Sequence, residues 1–183
     1  LSIVSMNIKN LQERNAEFRS HEEVHKALQH LGIALGQTRN LSHRLMPETI
    51  KDLGLAKAVE EWIGEIQSGC DLRLYLVVPE LPRLDHSLEI DIFRYIQEGT
   101  HNAIKHSEGT SVTINMSVDT GVLLVSISDD GKGMRPDSKK NTGIGLRTMR
   151  TRIERWEGRL IVESDGSGTT LLAEITVNEA LLK

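Results

Sequence analysis

The sequence predicts an α+β domain in which helices cover one face of a mixed sheet. A helical pattern covers residues 87–106, and two β-rich runs, 112–118 and 122–128, follow it with an Asp-Thr-Gly turn between them. A further helix is predicted to reach about Glu157, and two more β-rich runs, 159–164 and 169–177, follow it and end the domain. Because hairpins connect most of these strands, we expect a two-layer α/β sandwich with a mixed sheet.

An antiparallel helical hairpin is predicted before the sandwich, over residues 1–46. In its first helix the apolar residues are spaced by three, four and three positions, as in a helix that packs on another: Leu1, Val4, Ile8 and Leu11. Ser20 and Glu23 form a capping box that starts the second helix, and Pro47 stops it. Two arrangements stay open: the hairpin joins a second copy in a four-helix bundle, which makes a homodimer, or it folds onto its own domain.

The second domain is predicted to cover residues 47–183, with the boundary at Pro47. It begins with a short amphipathic helix that ends near Ser68, whose apolar positions are Leu55, Val59, Trp62, Ile63 and Ile66. The β-rich run LRLYLVVP at residues 72–79 then predicts the first strand.

Composition excludes several classes of function. The net charge of -4 and the aromatic content of 3% give neither a basic field nor a stacking platform, so direct nucleic-acid binding is not expected. The single Cys70 excludes an internal disulfide and suits a reducing compartment, so we expect a cytoplasmic location. The sequence has no apolar run of the roughly 18 residues that a membrane span needs. Because the sequence begins inside a helical pattern, we expect it to be a fragment of a longer protein. A membrane anchor upstream of Leu1 is compatible with this expectation.

The long helix carries the first polar element. Glu98 and Asn102 are four residues apart and project from one face, with Asp91, Arg94 and Lys105 near the same stripe. This stripe either faces a ligand or is an ordinary solvated face of the helix.

The stretch DDGKGM, residues 129–134, is the second element and directly follows a strand. Asp129 stands at the rim of the sheet, where its carboxylate can accept from an exocyclic amine. Such a bond contributes about 1.5 to 3 kcal/mol, enough to select adenine over guanine. Gly131 and Gly133 let the backbone come close to a flat ligand. An ordinary turn explains the same residues.

Two further elements contain glycine. In TGIGL, residues 142–146, the amides at Gly143 and Gly145 begin a helix and can form an anion seat for phosphates. The polar stretch before it, with Lys139 and Lys140, is interpreted as a short lid or else as a surface loop. Thr169 lies in GSGTT, which a hairpin turn explains equally well.

In this order the four elements resemble the N, G1, G2 and terminal glycine-threonine boxes of the Bergerat-type ATPase fold shared by histidine kinases, type II topoisomerases and MutL proteins. QEGTHNAIKHS, residues 97–107, is similar to the N box of bacterial sensor histidine kinases of the nitrate-sensor and membrane-fluidity-sensor class. RLMPETIKDLGLAKAVEEW, residues 44–62, and GLRTMRTRIERWEGRLIVES, residues 145–164, resemble that class too.

The resemblance implies a site for ATP and Mg²⁺. It makes Asn102 the magnesium ligand and Glu98 the catalytic base or the partner of a metal-bound water. It makes Asp129 the reader of adenine, assisted through water by Thr169. The remaining residues border the base or contact the phosphates: Gly131 and Gly133 for the base, and Lys105, Gly143 and Gly145 for the phosphates.

The sequence departs from this class in two places. Gly99, Thr100 and His101 stand where such kinases commonly have alanine, leucine and threonine. The phosphoacceptor histidine, followed by an acid in the first hairpin helix, is absent. By resemblance it should lie before Leu1, so we do not expect the fragment to phosphorylate itself at the usual place.

The function implied by the resemblance is that of the catalytic region of a two-component sensor histidine kinase. Such a protein transfers the γ-phosphoryl group of ATP to a histidine, here upstream, and then to an aspartate of a response regulator. The alternatives are another ATPase of the same fold and a non-catalytic module that binds nucleotide or only dimerises.

Overall fold

The computed structural model describes residues 48–134, 144–178 and 180–182. The hairpin predicted for residues 1–46, the boundary at Pro47 and the short lid lie outside these residues and stay predictions. Residues 48–53 are helical. The further described elements are α1 Leu55–Gln67, β1 Arg73–Val77, α2 His86–His106, β2 Ser111–Asp119, β3 Val122–Asp129, α3 Ile144–Glu154, β4 Arg159–Asp165 and β5 Gly168–Thr176. Within the described ranges, none of the helices has the length and apolar character that crossing a bilayer requires.

The five strands form one sheet in the order β1-β2-β3-β5-β4. β1 is parallel to β2, and the other neighbouring pairs are antiparallel, so the predicted mixed sheet is confirmed. In the β2–β3 hairpin both central turn residues have positive φ, 47° at Thr120 and 79° at Gly121. This is the backbone of a type I′ turn, which suits the twist of paired strands and fixes Asp119 opposite Val122.

The core lies between one face of the sheet and α2. Every second residue of the three central strands is buried: Val112, Ile114, Met116, Leu123, Val125, Ile127, Leu171, Ala173 and Ile175. α2 covers them with Leu88, Ile92 and Ile96. A Cβ on Gly99 would lie only 2.4 Å from Cδ1 of Ile127, so the glycine lets the helix approach the sheet closely at this point. The departure from alanine at position 99 therefore has a packing reason.

The ends of two helices differ in how well the sequence predicts them. Asp85 caps α2 by accepting from the backbone N–H of Ser87 at 2.8 Å, close to the predicted start of this helix. α3 ends at Glu154, three residues before the predicted end near Glu157. Glu157 has a φ of 55°, a left-handed conformation that ends a helix and that the helical sequence pattern does not reveal.

Candidate active site

α3 lies along the polar stripe of α2 and runs in the opposite direction. At its amino end, a Cβ on Gly145 would lie 2.3 Å from Oε1 of Glu98 and 3.4 Å from Nδ2 of Asn102. At its carboxyl end, Arg152 donates to Asp91 at 2.8 Å. The stripe is thus neither wholly ligand-facing nor an ordinary solvated surface, because α3 covers its Asp91 end. Its other end, with Glu98 and Asn102, is half-buried beside the first turn of α3.

A cavity of about 550 Å³ opens between the carboxyl end of α2, the ends of β3 and β5, and the start of α3. Six predicted site residues line it together: Asn102, Lys105, Asp129, Gly133, Gly145 and Thr169. The residues predicted to bind the base, the metal ion and the phosphates therefore line one cavity.

The remaining predicted residues do not line this cavity. Glu98 lies beside Gly145 at its edge. Gly131 is buried, and a Cβ there would lie 2.2 Å from the backbone oxygen of Ser107, so this glycine serves close packing behind the cavity wall. Gly143 lies outside the described residues.

Strand alternation and register bring the base-reading side of the cavity together. Ile127 and Asp129 are two positions apart on β3 and so share the face toward α2. The antiparallel register sets Ile127 opposite Leu171 and Asp129 opposite Thr169 on β5. These four residues line an apolar floor that ends in a carboxylate and a hydroxyl. Sequence reasoning missed Ile127 and Leu171, although alternation back from Asp129 would have found the first of them.

The Asp129 carboxylate is half-buried and oriented by backbone groups. The N–H of Gly131 donates to its Oδ1 at 3.0 Å. Burial raises the pKa of Asp129, and backbone hydrogen bonds from Gly131 and Thr169 oppose that rise. An acid held in this way is a fixed hydrogen-bond acceptor at the end of an apolar slot, which suits an exocyclic amine on a flat ring.

Asp130, the next residue, has a different role. Its carboxylate accepts from the N–H of Thr110 at 2.7 Å, the Thr110 hydroxyl at 2.6 Å and the N–H of Ser111 at 2.8 Å. The Thr110 hydroxyl and these backbone groups hold the pKa of Asp130 well below its ordinary range. The side chain ties the end of β3 to the start of β2 and so keeps Asp129 at the rim of the sheet.

The loop after β3 is pressed against the β4–β5 turn. Gly133 has a φ of 69°, and a Cβ on it would lie 1.8 Å from the backbone oxygen of Asp165. The N–H of Met134 donates to Oγ of Ser164 at 2.6 Å, and this Oγ is also 3.1 Å from Oγ1 of Thr169. Ser164 was missed by sequence reasoning. Its position opposite Thr169 in the hairpin register is the signal that could have found it.

Charged side chains stand at the mouth of the cavity. Lys105 and Lys132 line it, and Lys132 forms an ion pair with Glu108, which lines it too. All three are exposed. The mouth thus offers cations to a polyanionic ligand, while one acid partly offsets them.

The residue types beside Gly145, a glutamate and an asparagine, suit a magnesium site. Oε1 of Glu98 and Nδ2 of Asn102 approach the same point at Gly145 from one helix face, and a rotation of the Asn102 carboxamide would turn its oxygen toward that point. Mg²⁺ takes about six oxygen ligands and usually keeps several waters, so a protein amide, a carboxylate and phosphate oxygens form a suitable donor set.

Comparison with known proteins agrees with this geometry. Residues 87–179, just over half of the chain, match the family of histidine kinase-, DNA gyrase B- and HSP90-like ATPases. The chain belongs to this family, and the resemblance drawn from its sequence is confirmed.

Two relatives of known name are sensor histidine kinases. The chain is 32% identical over 140 residues to sensor histidine kinase ComP of Bacillus subtilis, covering 73% of this chain and 18% of the relative. It is 28% identical over 148 residues to oxygen sensor histidine kinase NreB of Staphylococcus carnosus, covering 79% and 43% respectively. The chain therefore spans less than half the length of either relative.

A solved structure shows the same fold. The histidine kinase domain of a blue-light activated histidine kinase from Erythrobacter litoralis superposes with a TM-score of 0.68 at 18% identity, covering 96% of this chain and 93% of that one.

Proposed function

We propose that this chain is the catalytic region of a two-component sensor histidine kinase, which binds Mg·ATP in the cavity and transfers its γ-phosphoryl group to a histidine upstream of Leu1. The phosphoryl group then passes to an aspartate of a response regulator. The single observation that carries the proposal is the convergence of Asn102, Asp129 and Gly145 on one cavity in a chain of this ATPase family.

In this proposal each side of the cavity binds one part of the nucleotide. Asp129 accepts from the exocyclic amine of adenine, with Thr169 beside it and Ile127 and Leu171 against the ring. The backbone of Gly145 and the ammonium group of Lys105 bind phosphate oxygens. A guanine base would present an acceptor to the Asp129 carboxylate, so the site should discriminate against GTP.

Asn102 and Glu98 are proposed to hold the metal and its waters. Bound Mg²⁺ neutralises phosphate charge, which is most of what phosphoryl transfer requires beyond positioning. Asn102 supplies an amide oxygen. The Glu98 carboxylate orients a metal-bound water or accepts the proton of the attacking histidine.

The parent protein is proposed to act as a homodimer through the predicted hairpin, in the cytoplasm, with its response regulator as partner. The two named relatives, both sensor histidine kinases, support this assignment. The alternative of a non-catalytic module remains the outcome to be excluded by experiment.

The decisive experiment is calorimetric titration of the chain with ATP and with GTP in the presence of Mg²⁺. We expect ATP to bind and GTP to bind at least about tenfold more weakly, since one charge-assisted hydrogen bond separates them. Asp129→Asn should weaken ATP binding by about 10- to 100-fold for the same reason. No ATP binding, or unchanged binding in Asp129→Asn, contradicts the nucleotide site.

A second experiment separates kinase from binding module. A longer version of the chain that begins before the expected acceptor histidine is incubated with ATP labelled at the γ-phosphate. We expect label in the unsubstituted protein and at least about 100-fold less in Asn102→Ala, because phosphoryl transfer depends on charge neutralisation by the metal. Binding of ATP without any incorporation, and without an effect of Asn102→Ala, would favour the module.

A further inference from the structure

α3 has few apolar contacts that could hold it in place. Of its residues only Met149 and Ile153 are buried, and Ile144 at its amino end is 88% exposed. A helix of 11 residues is marginal in isolation, so its position on the domain must come from tertiary contacts. The polar contacts at its carboxyl end therefore carry more than their usual weight.

Asp91 of α2 makes those contacts. Its side chain is buried and accepts from Arg152 at 2.8 Å, from Nε1 of Trp156 at 2.9 Å and from Arg155 at 3.4 Å. All three donors lie in the last turn of α3 or just after it. One carboxylate thus joins α2 to the whole carboxyl end of α3.

The surroundings make this carboxylate hard to replace. Arg94 follows Asp91 by one turn on α2 and donates to Gln97 at 2.9 Å. Burial lowers the pKa of Arg94, and the positive charge of Arg152 lowers it further, so the two guanidinium groups interact across the helix interface. Without the Asp91 charge, Arg152 would lose its acid and would still face the positive charge of Arg94. Breaking a buried pair by removing one partner is costlier than losing an exposed pair.

Movement at this end of α3 reaches the cavity. Arg152 and Gly145 are seven residues apart, about 10 Å along the helix axis. A tilt of α3 about its buried residues therefore displaces Gly145 relative to Glu98 and Asn102. The base-reading residues Asp129 and Thr169 lie on strands that do not depend on this contact.

We propose that Asp91 is a positioning residue for the phosphate side of the site: it fixes the carboxyl end of α3, so that Gly145 stays beside Glu98 and Asn102. This inference rests on the proposed nucleotide function. A substitution of Asp91 should therefore lower the affinity for the triphosphate and leave the affinity for the nucleoside unchanged.

The test compares Mg·ATP with adenosine, titrated into the same protein by calorimetry. In Asp91→Asn we expect ATP affinity to fall by about tenfold or more, while adenosine affinity stays within about twofold. A residue that only stabilised the fold would not separate the two ligands. Adenosine binding also reports that the Asp129 side of the cavity is intact.

Two variants control for the position and for folding. Arg155→Gln removes the longest and most exposed of the three contacts, with a side chain 68% exposed, and should change ATP affinity by less than about twofold. Arg152→Gln leaves Asp91 paired with Arg155 and Trp156, so it should fold even if Asp91→Asn does not, and it should show the same selective loss of ATP affinity.

The outcomes are distinguishable. Equal loss of ATP and adenosine in a folded Arg152→Gln or Asp91→Asn protein overturns the positioning role, and so does unchanged affinity for both ligands. Failure of the unsubstituted chain to bind ATP at all overturns the proposed function, and this inference with it.

Discussion

The two sides of the cavity are held by different interactions. We call Asp129, Gly133 and Thr169 the sheet wall, and Asn102 and Gly145, with Glu98 at the edge of the cavity, the helix wall. In the sheet wall, Asp129 lies in a strand ladder between Val112 on one side and Thr169 on the other. In the helix wall, Glu98 and Asn102 lie on the long α2, whereas Gly145 lies on the short α3, which has two buried side chains and is held at its far end by the buried Asp91 carboxylate of α2. Tight backbone packing fixes one wall, and charge pairs position the other.

This difference indicates how the two walls should respond to change. Backbone register is cooperative and insensitive to salt, so damage to the sheet wall should appear as lost stability. Ion pairs locate a helix without contributing much to the core, so damage to the helix wall should appear as lost affinity for phosphate.

The largest effect is expected from Gly168, the first residue of β5, directly after the β4–β5 turn that supports the sheet wall. Gly168 has a φ of 144°, and a Cβ there would lie 2.0 Å from the backbone oxygen of Asp129. Gly168→Ala must therefore push β5 away from β3, and we expect the free energy of unfolding to fall by roughly 3 kcal/mol or more. Urea unfolding measures this loss, and ATP titration should show binding lost in parallel.

Gly166 in the same turn is the matched control. A Cβ on Gly166 meets no atom within 4 Å. Gly166→Ala should change the free energy of unfolding by less than about 0.5 kcal/mol. Similar losses in both variants would show that the turn is merely sensitive to substitution, and that the sheet wall does not depend on close backbone approach.

The sheet wall was also the more predictable wall. Strand alternation, a turn-forming trio and glycines at the strand ends are local patterns, and they suffice to place Asp129 and Gly133 at one rim. The confirmed mixed sheet and the ends of α2 follow from equally local signals. These local patterns do not reveal which residue packs behind the rim, and so they do not predict the packing role of Gly131.

The helix wall was less predictable because its supports are distant in sequence. Asp91 and its donors are separated by 61 to 65 positions, and no helical or strand period relates them. The sequence therefore places Asp91 near a polar stripe that either faces a ligand or is solvated, whereas in the structure Asp91 holds the carboxyl end of α3. The same limit applies to Ser164 and Met134, which are 30 positions apart.

A second prediction concerns Asp130, which supports the sheet wall through hydrogen bonds to Thr110 and Ser111. Its pKa is lowered in the folded chain, so its ionised form adds stability that is fully present above the unfolded pKa of about 3.9. That stability is lost as the pH falls through the folded pKa. Asp130→Asn should therefore lower the Tm at pH 7, by less than Gly168→Ala does.

The pH dependence separates Asp130 from its neighbour. The difference in Tm between Asp130→Asn and the unsubstituted chain should narrow as the pH is lowered below about 4. Asp129 has a raised pKa, so its ionised form costs stability above that pKa. Asp129→Asn should therefore not show a loss of Tm that becomes smaller at low pH. A loss in Asp130→Asn that is equal at pH 7 and at pH 3 would mean that shape, and not charge, supports the rim.

The smallest effect is expected from the ion pair at the cavity mouth, where Lys132 and Glu108 have side chains 48% and 73% exposed. Exposed pairs contribute little to stability, so Glu108→Gln should leave the Tm nearly unchanged. In Glu108→Gln, the Glu108 carboxylate no longer competes with phosphate for Lys132, so ATP affinity should rise about twofold at low salt. Lys132→Gln should lower ATP affinity by a similar factor. Both changes should vanish at high salt, where such charges are screened, and neither should alter adenosine binding. A change in ATP affinity that persists at high salt would show that this pair is a fixed contact of the sheet wall. The sheet wall would then depend on charge as well as on backbone packing.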